Sequence, residues 1–427
     1  MKTPTRVPSS DSDLRGTLSH LVVLDLTQFL AGPHCTQILA DLGARVIKIE
    51  PPEGDPTRKL PPHFVKGQSA YFLSVNRSKE SVVINLKHPE GRDLFLRMVP
   101  RADLIVESFR PGVMARLGLG YEVLARLNPR VVLCSITGFG QNGPYASRAA
   151  YDVIVQALSG AMSITGEPGR APVRAGPPIG DLVAGMYGAI AALAALGGRS
   201  ASGQGQHIDI AMLDCQVAML SYQAVYYLVS GQVPGPQGRG HASIPTYRSF
   251  TCRDGREIII AATTEKMWEA LCRVLRLPGL ISDERFQTNV DRFQHEEALW
   301  EILERRFRDQ DADEWLGRLQ DSGVPVATVN AVDEALRDPQ VRHRQMVRSI
   351  RHRDGEDLRL VASPIRMKST SAEMYRWPPD LGQHTRTVLE GWLGLSSHAV
   401  DTLARSSIIH EAPPQDAASE ARRNVPS

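Results

Sequence analysis

The carboxylate with the most distinctive sequence setting is that of Asp181. It ends a stretch rich in glycine and proline, Arg174–Asp181, and it comes directly before an apolar run that begins at Leu182. The sequence therefore predicts that a flexible segment delivers this carboxylate to the start of a buried helix. Free N–H groups and a partial positive charge at a helix start favour an ionised carboxylate held in one place. The common alternative is that Asp181 is only a helix cap, a favoured position for aspartate.

Three further side chains could contribute to a binding site. Arg116 and Arg148 could contact phosphate groups, although most surface arginines are solvated or paired with a carboxylate. Tyr151 precedes Asp152 at a predicted helix start, where it is either a site residue or a partly buried aromatic with a bonded hydroxyl. The residue types alone leave both roles open for each of the three.

Several familiar catalytic motifs do not occur in the sequence. There is no G-x-G-x-x-G after the first predicted strand, no Walker A lysine motif, no G-x-S-x-G and no H-E-x-x-H. These absences disfavour a dinucleotide enzyme, a nucleoside triphosphatase, a serine hydrolase and a metal-dependent hydrolase. Glycines do follow predicted strands, at Ala31–Pro33 and Gly138–Gly140, where open α/β sheets bind ligands.

The length and composition are those of a soluble globular protein with more than one domain. The 427 residues exceed one ordinary core, and 42% hydrophobic with 22% charged residues is typical of soluble domains. The net charge of +2 predicts neither nucleic-acid binding nor a polybasic membrane anchor. The longest apolar run, Leu182–Leu196, is shorter than the roughly 20 residues that span a bilayer, so we expect a buried core helix.

Cysteine usage and the first residues bear on the cellular compartment. The five cysteines are widely spaced and none forms a C-x-x-C pair, so neither a disulfide framework nor a zinc site is expected. The segment Met1–Arg6 lacks the apolar core of a secretory signal. We expect a reducing, cytoplasmic setting, with mitochondrial import left open for a eukaryotic source.

The elements that must position these side chains alternate between strands and helices, which is typical of an α/β fold with a parallel, doubly wound sheet. The predicted strands are Leu21–Leu26, Arg45–Glu50, Ser81–Leu86, Asp103–Glu107, Val131–Ser135 and His207–Met212. The predicted helices between them include Pro33–Leu42, Glu90–Val99 and Tyr121–Leu127. Carboxyl ends of parallel strands share one edge of a sheet, so loops after these strands are candidate site loops.

The pattern changes after the Gly/Pro-rich stretch Gly231–Gly240, which is typical of a mobile loop or linker. An Asp254-Gly255 hairpin and helices at 264–275, 296–307 and 312–321 predict a smaller α+β domain. The sequence predicts flexible ends at 1–18 and 407–427. Between them we expect a large domain at 19–229, which includes a long helix at 213–229, and a small domain with its linkers at 230–325. The chain is then expected to return to the large domain at 326–406, through the strand Val324–Val329 and a helix at 384–393.

Several motifs, in one order along the chain, resemble those of a known family. Residues Leu24–Pro33 and Leu39–Glu50 resemble the N-terminal signature of the class III coenzyme A (CoA) transferases, the formyl-CoA and carnitine CoA-transferase type. The match continues through Asn76–Lys79, Val106–Gly112, Ser135–Gly140, Tyr151–Asp152, Gly180–Asp181 and Leu381–Thr385. It covers nearly the whole chain except the two ends, and the shared order makes it specific.

The resemblance implies that Asp181 is the catalytic nucleophile. Its carboxylate would attack an acyl-CoA thioester to give a mixed anhydride and CoA thiolate, and the thiolate would then form an aspartyl-CoA thioester. An acceptor carboxylate would enter and the steps would reverse. Carboxylates serve as covalent catalysts in other enzymes. The resemblance implies no metal and no tightly bound cofactor, because the CoA thioester is itself a substrate.

Matching positions imply the residues that contact CoA or the acyl group. They are Phe29, Leu30, Ala31, Ile84, Ser108, Phe109, Arg116, Arg148, Tyr151 and Met212. The chain departs from the family at Ser108, where asparagine is frequent, and at Ala149, where some members have a cationic contact to CoA. We expect the neighbouring Arg148 to replace that cation.

The resemblance also implies the assembly and the partners. It implies a homodimer of two open rings threaded through each other, with a large Rossmann-like domain made from N- and C-terminal parts. The Gly/Pro loop 231–240 is a candidate lid, since the reactive intermediates need protection from water. Gly240–Tyr247 and Thr137–Gln141 look most like members that use succinyl-CoA or related dicarboxylates. The expected partners are an acyl-CoA, a carboxylic acid and a second copy of the chain, with no nucleic acid and no membrane.

Two other functions fit part of this pattern. Racemases of 2-methylacyl-CoAs share the fold and the aspartate, and they carry a histidine base where this chain has Tyr151. A phenol with a pKa of about 10 is a poor base near neutral pH, which favours transfer over racemisation. A non-catalytic acyl-CoA-binding protein is the other alternative, and retention of Asp181 argues against it.

Overall fold

The computed structural model describes residues 16–352, 354–368 and 375–412. Most of the two ends that the sequence predicts to be flexible, at 1–15 and 413–427, lies outside the described residues. The chain forms two compact units. The first takes its described residues from 1–161, 175–224 and 345–427, and the second consists of 162–174 and 225–344.

The secondary structure alternates between strands and helices in the first half of the chain. The strands are β1 (Val22–Leu26), β2 (Arg45–Glu50), β3 (Phe64–Val65), β4 (Gln68–Ser69), β5 (Lys79–Ile84), β6 (Leu104–Glu107), β7 (Val132–Thr137), β8 (His207–Ala211), β9 (Gly240–His241), β10 (Ile244–Thr251), β11 (Glu257–Ala261), β12 (Val326–Thr328), β13 (Val347–Arg351), β14 (Asp357–Val361) and β15 (Ile409–His410). The α-helices are α1 (Ala31–Asp41), α2 (Ala70–Val75), α3 (Pro89–Met98), α4 (Val113–Arg116), α5 (Tyr121–Leu127), α6 (Asp152–Leu158), α7 (Ile179–Ser202), α8 (Met212–Met219), α9 (Tyr222–Ser230), α10 (Glu265–Val274), α11 (Gly279–Ser282), α12 (Asn289–Gln294), α13 (Glu296–Phe307), α14 (Ala312–Asp321), α15 (Val332–Arg337), α16 (Pro339–His343), α17 (Thr385–Leu393) and α18 (Ser397–Arg405).

A seven-stranded sheet forms the centre of the first unit, in the order β15-β5-β2-β1-β6-β7-β8. The six strands from β5 to β8 in this order run parallel, and β15 pairs antiparallel with β5 at the edge. The direction of winding reverses between β1 and β6, and open parallel sheets bind ligands beside such a point, at the carboxyl ends of the strands. The predicted α/β class with a large parallel sheet is therefore confirmed.

Apolar side chains cover both faces of this sheet. One cluster contains Val23, Val106 and Cys134 and packs the sheet against α1, α7 and α8. The other contains Leu24 and Ile105 and packs the opposite face against α3, α5 and α17. Consecutive strand residues point to opposite faces, so strands that are covered on both sides are apolar throughout. Because helices bury both faces of the sheet, its strands are continuous apolar runs in the sequence.

Helix α7 packs very closely against α1. A Cβ atom on Gly185 would lie 2.6 Å from the Ala31 carbonyl oxygen, and one on Gly188 would lie 3.2 Å from Cys35 Sγ, both on α1. The two glycines therefore allow the helices to approach. The helix is 24 residues long, longer than the predicted apolar run, and by length and composition alone it could cross a membrane. The expected length was wrong, whereas the close packing on α1 is that of a core helix.

The second unit is built around a four-stranded sheet in the order β12-β11-β10-β9. Strands β10 and β11 form an antiparallel hairpin whose connection contains Asp254 and Gly255, as predicted. Strand β12 pairs with β11 and does not return to the large sheet, which corrects the prediction for Val324–Val329. Helix α14 ends only a few residues before β12, so the chain reaches the open edge of β11 by a short connection.

The predicted long helix at 213–229 is also wrong. It is two helices, α8 and α9, separated at Leu220 and Ser221. Ser221 has a φ of 50°, in the left-handed region, which is incompatible with a continuous right-handed helix. The apolar composition continues through this break, so the sequence pattern did not reveal it.

The parts of the two predicted flexible ends that the structure describes, 16–18 and 407–412, pack on the first unit. Leu18 is buried, and its N–H donates to the Leu42 carbonyl at 2.9 Å. At the other end, β15 pairs with the edge of the large sheet, and Ile408 and Ile409 are buried. Burial of these side chains and pairing with a sheet edge outweigh the polar composition around them.

Candidate active site

Asp181 lies in the first turn of α7, which begins at Ile179. The Leu182 N–H donates to the Pro178 carbonyl at 3.0 Å, so the helix is already hydrogen-bonded at the residue after Asp181. Asp181 is thus the third residue of the helix and not its cap. The described residues provide no hydrogen-bond donor to its carboxylate, which leaves both oxygens available for chemistry.

Gly180, the residue before Asp181, is enclosed by side chains. A Cβ atom added to it would lie 2.8 Å from Val155 Cγ2, 3.0 Å from Asp152 Oδ1 and 3.4 Å from Gln216 Nε2. Its N–H donates to Asp152 Oδ1 at 2.8 Å. Any larger residue at this position would displace the start of α7 and with it the Asp181 carboxylate.

Asp152 and Gln156, one turn apart on α6, hold the Gly/Pro segment that leads to Asp181. Gln156 Nε2 donates to Asp152 Oδ2 at 2.7 Å, and Gln156 Oε1 accepts from the Ala175 N–H at 2.9 Å. Asp152 holds Gly180 at the other end of the same segment. Two side chains of one short helix therefore fix the path of residues 175–180.

The ionisation of Asp181 differs from the sequence-based expectation. Burial raises the pKa of Asp181 to about 7, and the nearby negative charge of Asp152 adds to this shift. With this pKa the carboxylate is only about half ionised near neutral pH, because the positive helix start does not outweigh desolvation. Once it is ionised, a carboxylate with a raised pKa is a better base and nucleophile than an exposed one.

Two buried ion pairs hold the segment that follows β1. Lys48 Nζ donates to the Thr27 carbonyl at 2.7 Å and pairs with Asp55 at 3.0 Å. Asp25 accepts from the Thr27 N–H at 2.9 Å and pairs with Lys79 at 3.0 Å. All four charged side chains are buried. Both polar groups of the Thr27 backbone are thus fixed, directly before the predicted CoA contacts.

Phe29 has a left-handed backbone with a φ of 65°, which is uncommon for an aromatic residue and is found most often at functional sites. Its ring meets the ring of Tyr151 edge-on, with centroids 5.7 Å apart. Leu30 and Ala31 follow as buried residues at the start of α1. Two predicted site residues from distant segments therefore meet, and Tyr151 directly precedes Asp152.

The carboxyl ends of β1 and β6 meet where the winding of the sheet reverses. The Gln28 N–H donates to Ser108 Oγ at 3.1 Å. The Phe109 N–H donates to Glu107 Oε2 at 2.7 Å. The predicted contacts Phe29, Ser108 and Phe109 therefore lie on two neighbouring loops at the edge where such sheets bind ligands.

The remaining predicted contacts are more scattered. Ile84 ends β5, and its side chain is buried in the apolar core, so only its main chain could reach a ligand. Met212 begins α8 and is also buried. Arg116 on α4 is exposed, as is Arg148, whose guanidinium covers the ring of Tyr145 at 3.6 Å. The assignment of these four residues as CoA contacts stays a prediction.

Sequence analysis did not identify Tyr71 or Asp152 as site residues. Burial and the charges of Asp181, Asp55 and Asp152 raise the pKa of Tyr71 to about 12. The phenol of Tyr71 is therefore within electrostatic reach of Asp181 and keeps its proton at neutral pH. Asp152 lies in the motif Tyr151–Asp152 but was not assigned a role, and Tyr71 lies in none of the motifs; folding brings both to Asp181 from distant segments.

The arrangement combines an unbonded carboxylate, the nearby phenol of Tyr71 and two fixed loops at the carboxyl edge of the sheet. Across 16–352, 354–368 and 375–412, no group of three or more His, Cys, Asp or Glu side chains is placed to hold a metal ion. The carboxylate of Asp181 can act as a nucleophile toward an acyl carbon or as a general base.

Comparison with known proteins adds the family. The sequence model of CoA-transferase family III matches residues 18–385. A succinyl-CoA:glutarate CoA-transferase of Mus musculus is 38% identical over 405 residues, which cover 95% of this chain and 93% of that protein. A succinate–glutarate CoA-transferase of Agrobacterium fabrum is 41% identical over 379 residues, which cover 87% and 94%.

Solved structures give the same result. The crystal structure of a CAIB/BAIF family protein from Brucella suis superimposes with a TM-score of 0.79 at 38% sequence identity, and the match covers 88% of this chain and 99% of that one. The motifs that resemble class III CoA-transferases are thus accompanied by similarity in sequence and in fold along most of the chain. The protein belongs to CoA-transferase family III and is a CoA-transferase.

Proposed function

We propose that this enzyme moves CoA from succinyl-CoA to a dicarboxylic acid of the glutarate type, with Asp181 as the covalent nucleophile. The observation that carries the proposal is the Asp181 carboxylate in the first turn of α7, unbonded, partly buried and beside Asp152. The choice of substrates is supported by the two named relatives, a succinyl-CoA:glutarate and a succinate–glutarate CoA-transferase.

The first half-reaction would leave CoA attached to the enzyme. An ionised oxygen of Asp181 attacks the thioester carbonyl, the C–S bond breaks and CoA leaves as a thiolate. The thiolate then attacks the side-chain carbonyl of Asp181 in the mixed anhydride, and succinate leaves with the bridging oxygen. The product is an aspartyl-CoA thioester. Neither step requires a proton transfer, so no general base is needed.

The second half-reaction would repeat these steps with the acceptor. The acceptor carboxylate attacks the aspartyl-CoA carbonyl and expels the thiolate, which forms a second anhydride. The thiolate attacks the acyl carbon of the acceptor, and Asp181 leaves as a carboxylate. The side chain of Asp181 thus takes part in four successive attacks, and the contacts of Gly180 with Asp152 and Val155 would keep it in place throughout.

Neighbouring side chains would support this chemistry. Tyr71 keeps its proton, since its pKa is about 12, and can donate a hydrogen bond to an oxyanion that develops near Asp181. Phe29 and Tyr151, which contact each other edge-on, would cover the acyl group. Water must be kept from the anhydride and thioester, and aromatic side chains are suited to that role.

Racemisation of 2-methylacyl-CoAs is a second candidate, because a pKa of about 7 for Asp181 suits a general base. Racemisation also needs a second acid–base group on the opposite face of the α-carbon. Tyr71, with its pKa of about 12, is a poor base near neutral pH. Transfer requires no second base, so it remains the better supported function.

We also propose that the enzyme is a homodimer in which a second copy covers an apolar face of the first unit. Helices α6 and α7, which pack together, expose large apolar side chains by 43% to 62%: Val153, Ile154, Met186, Tyr187 and Ile190. Several large apolar side chains exposed on two packed helices are typical of a protein interface. The threaded homodimer implied by the family motifs supports a second copy as the occupant.

A substrate panel tests the proposed function. The enzyme is mixed with succinyl-CoA and a series of mono- and dicarboxylic acids, and mass spectrometry identifies each new CoA thioester. We expect glutaryl-CoA and succinate in equal amounts, with slower transfer to monocarboxylic acids. In deuterated water, a 2-methylacyl-CoA should gain little deuterium at its α-carbon. Rapid α-exchange without CoA transfer to any acid would instead support a racemase, and binding without turnover would support a binding protein.

A further inference from the structure

A row of polar side chains crosses one face of the large sheet. Glu107, Ser135 and Asp209 are paired across β6, β7 and β8, so their side chains lie on one face, and His207 shares that face two residues before Asp209. Ser135 Oγ lies 2.9 Å from His207 Nε2, and Ser135 faces Glu107 on the neighbouring strand, where its hydroxyl lowers the pKa of the Glu107 carboxyl. The row therefore connects a buried carboxyl to the edge strand, where His207 and Asp209 are exposed.

The inner end of this row lies at the predicted CoA site. Glu107 is 3% exposed, and its Oε2 accepts from the Phe109 N–H at 2.7 Å. Between them, Ser108 accepts from the Gln28 N–H and so joins the loop after β6 to the loop after β1. Glu107 thus holds the turn that carries two of the predicted contacts, and none of the proposed covalent steps uses it.

We propose that Glu107 is a positioning residue for acyl-CoA binding, which holds Ser108 and Phe109 in place when it is ionised and exchanges its proton with solvent through Ser135 and His207. The inference rests on the proposed function, in which Ser108 and Phe109 contact CoA. Hydrogen bonds to an ionised acceptor are about twice as strong as those to a neutral one. Affinity for acyl-CoA therefore falls when Glu107 takes up a proton.

One proton can pass along this row when the Ser135 hydroxyl points to the Glu107 carboxyl that it faces. Ser135 has a single hydroxyl proton. With Glu107 ionised, Ser135 donates to Glu107 and accepts from the Nε2–H of His207. When solvent protonates the other ring nitrogen of His207, Nε2 gives its proton to Ser135 and Ser135 gives its own to Glu107. His207 is then neutral again, and every proton is accounted for.

Neighbouring groups set the pH at which Glu107 titrates. Burial raises the pKa of Glu107 to about 7, the Ser135 hydroxyl and the Phe109 N–H lower it, and the charge of Asp209 raises it. The thiol of Cys134 next to Ser135 is neutral, since burial raises its pKa to about 12. The single charge that faces Glu107 among these groups is therefore that of Asp209.

His207, at the exposed end of the row, is mostly neutral near neutral pH. His207 is exposed, but partial burial of its imidazole lowers the pKa of His207, and the charges of Asp209 and Glu122 oppose this shift. The ring of Tyr121 stacks on the imidazole with centroids 5.7 Å apart and fixes its orientation. A neutral imidazole has one donor and one acceptor nitrogen, as the proton path requires.

The test uses Asp181→Ala, which cannot turn over and removes the titration of Asp181. Calorimetry measures the Kd for CoA from pH 6 to 8 in this protein and in the double variant with Glu107→Gln. The phosphates of CoA also titrate in this range, so the ratio of the two Kd values is compared at each pH. We expect the double variant to bind about fivefold more weakly at pH 8 and equally at pH 6, where Glu107 is mostly neutral.

Two further variants separate this role from a purely structural one. Ser135→Ala removes a hydroxyl that lowers the pKa of Glu107, so the affinity for CoA should be lost at higher pH than in the parent protein. Asp209→Asn removes a charge that raises the pKa of Glu107, so the affinity for CoA should be lost only at lower pH. These opposite shifts test whether ionised Glu107 supports CoA binding even if the Glu107→Gln protein fails to fold.

The outcomes distinguish the two levels of the proposal. If CoA does not bind to Asp181→Ala at any pH, the proposed function fails. If CoA binds, but the ratio of Kd values is the same at pH 6 and pH 8 and neither Ser135→Ala nor Asp209→Asn shifts the profile, only the role of Glu107 is overturned.

Discussion

Asp152 Oδ1 accepts a hydrogen bond from the Gly180 N–H at 2.8 Å, one residue before Asp181. The charge of the same carboxylate raises the pKa of Asp181. One side chain therefore both positions the proposed nucleophile and affects its ionisation. Positioning requires only an acceptor atom, whereas the effect on the pKa requires a negative charge, so substitution can separate the two.

We expect Asp152→Asn to retain the helix start, because an amide oxygen can still accept from Gly180, and to lower the pKa of Asp181. In the wild type, kcat should fall about tenfold from pH 8 to pH 6, as Asp181 with its pKa of about 7 becomes protonated. In the variant this fall should occur at lower pH. Profiles of kcat against pH measure the shift, and Asp152→Glu, which keeps the charge, is the control. An unmoved profile in Asp152→Asn would mean that Asp152 does not influence this ionisation.

The same pKa makes a prediction about stability. The folded protein keeps a proton on Asp181 between its ordinary pKa of 3.8 and about 7, so the stability contributed by this group falls as the pH rises across that range. Asp181→Asn removes this dependence. The free energy of unfolding of Asp181→Asn minus that of the wild type should therefore increase by on the order of 2 kcal/mol from pH 5 to pH 8. Urea unfolding at one protein concentration measures the difference, and a pH-independent difference would contradict the raised pKa.

Gly180→Ala should reduce kcat at least tenfold and lower the free energy of unfolding by roughly 1–3 kcal/mol. The reason is that a Cβ would lie 2.8 Å from Val155 Cγ2 and 3.0 Å from Asp152 Oδ1. Gly197→Ala, on the same helix with nothing within 4 Å of its Cβ, is the matched control. It should leave kcat unchanged and stabilise the protein by up to about 1 kcal/mol. Equal kcat values for the two variants would argue against the tight packing at Gly180.

Much of the fold could be predicted from local pattern. The bounds of Tyr121–Leu127 and Glu296–Phe307 match the predicted helices, because the periodicity of their apolar residues and their capping positions are local properties. The break at Ser221 and the pairing of β12 with β11 could not be predicted in this way. A left-handed residue inside an apolar stretch and the choice between two sheet edges depend on tertiary contacts.

The residues of the candidate site were chosen from motifs alone, and their roles stay predictions. The motifs identified Asp181, Phe29 and Tyr151, and the contact between Phe29 and Tyr151 brings two distant motifs together. The ionisation of Asp181 could not be predicted, because it depends on burial and on Asp152, which lies on another helix. Electrostatic neighbours in space leave no periodic signal in the sequence.

The proposed homodimer should persist at nanomolar concentration in sedimentation experiments, because threaded subunits cannot separate without unfolding. Ile190→Asp places a charge on the exposed face of α7, where the wild-type side chain is 62% exposed. We expect a lower yield of refolded dimer and a Tm lower by several degrees. Val290→Asp, at a residue of the second unit that is 63% exposed, should have neither effect. A folded and active wild-type monomer would refute the dimer.

The most direct test of the account is to trap the acyl-enzyme at Asp181. Wild-type enzyme and Asp181→Ala are incubated with succinyl-CoA without an acceptor, treated with hydroxylamine, and analysed by peptide mass spectrometry. Activated carboxyl groups react with hydroxylamine to give a hydroxamate, whereas a free carboxylate does not. We predict a hydroxamate at Asp181 in the wild type, formed only when succinyl-CoA is present, and no transfer activity in Asp181→Ala. A hydroxamate on another residue, or near-normal CoA transfer by Asp181→Ala, would contradict it.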